Sequence, residues 1–162
     1  MPATIMTITK ATVKFALGAT EPVDWSTEED FSCQVQTASV DATDNVQDVD
    51  ATWCQGPTQT VAEPSFTVNL TGLQDWTQAN GLSMFLFTNR TLEGWVQLIM
   101  PNTDVAPTAV AVCHVRFTPG SFGGAAGTPL TFTAALPCQG TPDFSQNATA
   151  VLAESERESA AA

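Results

Sequence analysis

Apolar and polar positions alternate most cleanly from Phe66 to Thr71. Phe66, Val68 and Leu70 fall on one side and Thr67, Asn69 and Thr71 on the other, the period-2 pattern of a half-buried strand. Leu73 to Trp76 then turns the chain, and Asn80 is placed to cap a helix over about Gly81 to Thr88. On that helix Leu82, Phe85 and Leu86 share one face, while Met84 and Phe87 point elsewhere. A helix this short is marginal alone and has to be held by tertiary packing. Being apolar all round, it should be covered on more than one side. A second strand follows and is closed by Pro101.

The flanking sequence predicts sheet arranged around this unit. Ile5 to Leu17 reads as a first strand, with Ile5, Val13, Phe15 and Leu17 on one side and Lys10, Thr12 and Lys14 on the other. Glu21 to Asp30 is an acidic connector containing Trp25. From Phe31 a second strand starts, with Phe31, Cys33 and Val35 on one face. Its apolar side then switches to Ala38 and Val40, which implies a bulge or strong twist. The segment from Asp41 to Asp50 is polar and carries Asp41, Asp44, Asp48 and Asp50. It reads as a long hairpin excursion or a mobile loop, with Val49 to Cys54 as a return strand and Gln55 to Pro64 as a further loop. Asn102 to Pro107 reads as a turn. Ala109 to Phe117 is a strand with Ala111, Cys113, Val115 and Phe117 on one face and His114 and Arg116 on the other. Leu130 to Leu136 alternates again, with Leu130, Phe132, Ala134 and Leu136 inward. About six or seven strands and one helix make the expected fold mainly β, a β-sandwich or open barrel with one short flanking α-helix. Residues 1–144 form the expected domain, and residues 145–162, polar and alanine-rich, read as a flexible tail.

Charge is the one unusual feature of the composition. Over 162 residues, five Lys and Arg against seventeen Asp and Glu leave a net charge of −12. Affinity for nucleic acid needs cations that displace condensed counterions, so this balance argues against it. Met1 to Ile5 shows no basic segment leading into an apolar core, so no secretory signal is expected, and no run approaches membrane-spanning length. Cys33, Cys54, Cys113 and Cys138 are irregularly spaced and His114 is the single histidine, a poor set for zinc. Buried free thiols are expected, with Cys33 and Cys113 on apolar strand faces.

Candidate chemistry is sparse. The segment PGSFGGAAGTP lacks the GK[ST] ending of a phosphate loop and leads into a strand, so Gly123, Gly124 and Gly127 read as a tight turn. His114 has no nucleophile motif to serve. The aspartate cluster lacks the glycine and terminal glutamate of a calcium loop and reads as solvated. The sequons at Asn69, Asn89 and Asn147 bear on function only in a secreted protein, and Trp25, Trp53, Trp76 and Trp95 are scattered. No cofactor, metal or catalytic constellation is expected, and the chain reads as a non-enzyme.

The segment LQDWTQANGLSMFLFTNRTLEGWVQLIMP, followed by VRFTPGSFGGAAGTPLTFTAALPCQGTPDF, resembles the major tail proteins of long-tailed bacteriophages, especially the actinobacterial siphophage type. The likeness extends to FSCQVQTASVDATDNVQDVDATWCQ and so covers most of residues 1–144. It implies a tail-tube subunit that forms hexameric rings stacked into a hollow tube through which the genome passes. In that setting Asp41, Asp44, Asp48 and Asp50 would belong to a loop that is mobile in the free subunit and orders between rings. The partners implied are further copies of the chain, a tape-measure protein in the lumen and tail-completion proteins. DNA would pass without specific binding, no membrane is involved, and assembly in the host cytoplasm would precede a place in the virion tail. Two other classes stay open: a capsid decoration or other β-sandwich structural module, and a secreted sugar-binding sandwich.

Overall fold

The computed structural model of the protein describes residues 11–49, 58–76, 81–100 and 109–144. In chain order these form β1 (Thr12–Leu17), β2 (Glu29–Asp30), β3 (Val35–Val49), β4 (Thr58–Leu73), α1 (Leu82–Thr88), β5 (Glu93–Met100), β6 (Ala109–Arg116) and β7 (Thr131–Pro137). They make two antiparallel sheets, one ordered β2-β1-β5-β6 and the other β3-β4-β7. The fold is therefore mainly β with one short helix, as the alternation patterns imply.

The two sheets share one apolar core. Val68 and Leu70 of β4 and Phe132, Ala134 and Leu136 of β7 meet Val13 and Phe15 of β1, Val96 and Leu98 of β5, and Cys113 and Val115 of β6. The four-stranded sheet also buries part of its other face. There Ala16, Ile99, Val110 and Val112 lie under Trp25, whose carbonyl accepts a 2.9 Å hydrogen bond from Lys14 Nζ. This second burial explains why β5 and β6 are apolar in near-continuous runs rather than in alternation.

Helix α1 owes little to its own sequence. No local side chain caps its N-terminus, its first turn holds no acid and its last turn no base. Asn80, the expected cap, lies outside the described residues, and Gly81 occupies the capping position. The free N–H of Leu82 instead donates to Gln34 Oε1, 2.7 Å away and distant in sequence. Leu82 and Leu86 are fully buried. Phe85 packs against Phe31, Phe117 and Phe15, with ring centroids 5.2, 5.5 and 5.8 Å away. Phe87 is half exposed, so the helix is covered on one side and not all round.

Several expectations are corrected. Of the two readings of the aspartate segment, residues 41–49 follow the hairpin and not the loop: β3 runs through Asp41, Asp44 and Asp48 and pairs with β4 as far as Val49↔Thr58. Asp50, the reading of a return strand at Val49 to Cys54 beyond Val49, and the loop reading of residues 55–57 lie outside the described residues. The paired return strand is β4, and it includes Pro64. Proline is tolerated there because the register shifts between Thr43 and Asn45, leaving an irregularity opposite residues that need no regular ladder bond. The other expected irregularity is present, with a register shift between Val35 and Thr37 where the apolar side switches. β3 begins only at Val35. Phe31 is buried ahead of it, and Cys33 is exposed in the intervening turn rather than inward on a strand. Leu17 and Leu130, expected inward, are exposed, because each sits at the end of a strand where the opposite layer no longer covers it. Ile5, Lys10, Pro101, the turn at residues 102–107 and the tail at residues 145–162 lie outside the described residues.

Gly94 shows how closely the chain packs within the four-stranded sheet. A Cβ there would lie 2.4 Å from the Ala16 carbonyl oxygen and 2.5 Å from the Phe117 ring, so only glycine fits.

Because Phe85 ties α1 to three other aromatic rings, Phe85→Ala should destabilise the fold by about 3 kcal/mol in chemical denaturation. A loss below about 1 kcal/mol would make the helix peripheral to the core.

Candidate functional site

The four outer sheet edges are treated very differently. β2 is two acidic residues long, too short to template another chain. β6 is covered by the segment after β7: Asp143 and Val112 exchange two 2.8 Å backbone bonds, and Gln139 N–H donates to the His114 carbonyl at 2.7 Å. The outer edge of β7 is covered by the chain after β6, through Thr118 Oγ1 donating to the Ala135 carbonyl at 2.6 Å and Thr133 N–H donating to Ser121 Oγ at 3.2 Å. β3 is left. Among the described residues it pairs only with β4, so its other edge presents backbone donors and acceptors along the whole strand.

The outward face of the β3-β4-β7 sheet is polar. Thr37, Ser39 and Asp41 lie across from Thr71, Asn69 and Thr67, and Thr71 and Asn69 in turn face Thr133 and Ala135. Hydrogen bonds link the rows: Thr37 to Thr71 through their hydroxyls, and Asn69 Nδ2 to Asp41 Oδ2 at 2.6 Å. None of the three strands contains a lysine or arginine. Lys14 and Arg116 lie on the other sheet, where Arg116 Nη2 is 3.3 Å from Glu93 Oε1.

A third surface lies at the end of the sandwich where β4 finishes and β7 starts. Gln74 organises it. Its Nε2 donates to the carbonyls of Gly123 at 2.9 Å and Thr131 at 2.6 Å, and its Oε1 accepts from Gly123 N–H and Trp76 Nε1, both at 3.1 Å. The glycine-rich segment is thereby tied to the turn after β4. Gly123 and Gly127 take φ values of 94° and 81°, the left-handed region open to glycine. The result is an aromatic group in which Trp76 packs edge-on to Phe122 at 4.9 Å and to Phe87 at 6.3 Å. Phe122 is 81% exposed.

The sequence-predicted residues are not brought into one site. Leu82, Phe85 and Leu86 are core, Asp41, Asp44 and Asp48 lie along the hairpin, and the glycines shape the opposite end. Sequence reasoning placed no weight on Gln74 or Phe122. The only signal available was a glutamine between a strand and a tryptophan. Chemistry is otherwise absent from view. His114 stacks flat on Trp95 at 4.6 Å, with Nε2 3.9 Å from Glu93 Oε2, a packing role on the outer face of its sheet. Among the described residues no group of three or more His, Cys, Asp or Glu is placed to hold a metal ion.

The thiols differ in environment. Cys113 is buried and donates its S–H to the Cys138 sulfur, which pushes the Cys113 thiol up, with burial adding to the effect. The same bond lowers Cys138. Both are thiols rather than a disulfide, as is the exposed Cys33. Maleimide labelling of the native protein should therefore modify Cys33 rapidly and leave Cys113 unmodified until denaturant is added. Equal labelling rates for the two would contradict this arrangement.

No protein-family profile matches the sequence, and no curated protein is significantly similar to it. Solved structures do match, with nine chains aligning significantly. One is a chain from the virion of a native gene transfer agent particle, similar at a TM-score of 0.50 and 12% identity over 83% of this chain and 95% of that one. At that identity the likeness establishes a shared fold, spanning nearly the whole of the other chain.

Proposed function

We propose that the chain is a non-catalytic structural subunit of a phage-like virion, and more specifically of a tail tube. In this reading it forms hexameric rings that stack around a lumen carrying the genome. The observation that carries it is the asymmetry of the sheet edges. Among the described residues three edges are short or covered, and the longest pairs on one side alone. An open edge of this length is an aggregation hazard in a monomer, and closure into a ring removes it. Asp41, Asp44 and Asp48 along the strand discourage indiscriminate pairing, since a chance neighbour would have to accommodate their charges. The shared fold with a virion chain and the resemblance to tail-tube subunits point the same way, and the resemblance supplies the sixfold ring.

If β3 joins neighbours edge to edge, the sheet that becomes continuous around the ring is β3-β4-β7. Its buried face packs on the core, so its polar, cation-free face is the one turned to the lumen. Hydroxyl and amide groups with scattered carboxylates offer phosphate nothing to hold, because multidentate contact needs cations. In this reading the hairpin carrying Asp41, Asp44 and Asp48 extends toward the next ring. A tape-measure protein in the lumen and tail-completion proteins at the ends are the further partners of this reading, and the virion tail is its location.

Purified protein examined by negative-stain microscopy should show rings or tubes. A monodisperse monomer across concentrations up to the millimolar range would reject the assembly. Preformed tubes mixed with labelled duplex DNA at physiological salt should not co-sediment with it. Thr133→Lys, which adds one cation per subunit to the proposed lumen face, should introduce DNA binding that weakens as salt is raised. Tight, salt-sensitive binding by the unaltered tubes would defeat the conduit role.

A further inference from the structure

Beyond β7 the chain changes sheets at Cys138. Its N–H donates to the Phe66 carbonyl at 2.9 Å and so still belongs to the β4 ladder. The next N–H, that of Gln139, donates to the His114 carbonyl of β6 at 2.7 Å. From there to Asp143 the segment lies along the β6 edge. Among the described residues its backbone is held there by that bond and by the reciprocal 2.8 Å pair between Asp143 and Val112. Between the two attachments the chain bends at Gly140, whose φ is 124°. A cover tied at so few points opens more readily than the strand beneath it, and opening would bare a further sheet edge.

Cys113 lies at this crossing. It is fully buried on the inward side of β6, two residues before Val115, the residue bridged to Cys138. Both thiols pack in the same apolar core, and the Cys113 S–H donates to the Cys138 sulfur. Two sulfurs already in contact, on segments joined by backbone bonds, have little distance to close before they can bond.

We propose that Cys113 and Cys138 form a reversible disulfide on exposure to hydrogen peroxide, and that this bond latches residues 138–143 over the β6 edge. The inference concerns the single subunit and does not depend on the tube reading.

The chemistry divides between the two sulfurs. Cys138 is half-buried, and hydrogen bonds from Cys113 and from the Val68 N–H lower its thiol, so it is the sulfur that meets the oxidant as thiolate. It attacks one peroxide oxygen; the O–O bond breaks, a Cys138 sulfenic acid forms and one water leaves. The Cys113 sulfur then attacks the Cys138 sulfur. Its proton passes to the departing hydroxyl, the S–O bond breaks and a second water leaves. The pair gives up two electrons and the peroxide takes them. Cys113 is a poor first target, since its own hydrogen bond and its burial keep it protonated, but as the resolving thiol it need only lie beside Cys138. The closed bond spans about 25 residues of chain and joins the two sheets covalently.

The test uses the full chain carrying Cys33→Ser and Cys54→Ser, so that no other thiol competes. Native protein treated with hydrogen peroxide should yield a peptide pair linked through Cys113 and Cys138, released again by dithiothreitol. Amide exchange at Val112 and Asp143, whose N–H groups bond each other's carbonyls, should slow by about tenfold on oxidation and recover on reduction. Adding Cys113→Ala should instead leave a Cys138 sulfenic acid that dimedone labels, with exchange at Val112 indifferent to peroxide. Further oxidation of Cys138 beside a free Cys113 thiol, or no reaction at Cys138, would overturn the disulfide. A disulfide that leaves exchange at Val112 and Asp143 unchanged would overturn the latch. If the Cys113→Ala protein does not fold, the linked peptides and the exchange rates of the protein that keeps both thiols decide the matter alone.

Discussion

The packing of Phe85 among Phe15, Phe31 and Phe117 is the contact on which the rest of the structure depends. Phe15 and Phe117 belong to β1 and to the end of β6, Phe31 to the link between the sheets, and Phe85 to the helix. The four rings thus hold one sheet, the crossover to the other and the helix in a single relation. A helix of this length would not persist in water, and this one has no local side-chain cap at its N-terminus, so packing has to hold it. Gln34 completes the arrangement. Its side chain caps Leu82, while its backbone carbonyl accepts the Leu73 N–H at 3.0 Å and its N–H donates to the Phe31 carbonyl at 2.9 Å. One residue therefore fixes the start of the helix, the end of β4 and the entry to β3.

That arrangement sets what remains available for contact. The chain leaving β6 is drawn along β7, and the chain leaving β7 is drawn along β6, so each covers an edge of the opposite sheet. Among the described residues no segment is left to cover β3. Among the described residues the sheet with an unpaired edge is also the sheet whose strands carry no lysine or arginine. The net charge of −12 says little about the field at any one face, because ions screen charges beyond about 8 Å at physiological strength. Where the few cations lie matters more than the total.

The inward positions of the sandwich were legible from sequence. Val68 and Leu70, and Phe132, Ala134 and Leu136, alternate with polar or small neighbours and are buried. Leu82, Phe85 and Leu86 share a helical spacing and all join the core. Even the bulge near Val35 announced itself as a switch of apolar side. In each case burial on one face leaves a periodic mark, and that mark depends only on local geometry.

The hairpin arm and the aromatic end left no such mark. Residues 41–46 bury neither face, so nothing selects apolar residues at alternate positions, and a strand of this kind reads as loop. Only its ladder with β4 makes it a strand, and that ladder is a contact between segments far apart in the chain. Trp76, Phe87 and Phe122 come together because Gln74 ties two turns distant in sequence, a juxtaposition that periodicity cannot encode. The exposure of Cys33, Leu17 and Leu130 has the same origin, since each sits where a strand begins, ends or has yet to form. The sequence by itself determined which faces seek the core. The tertiary structure decided where the layers end, and the open edge and the exposed aromatic group follow from where they end, because coverage depends on the neighbouring layer and not on the residue covered.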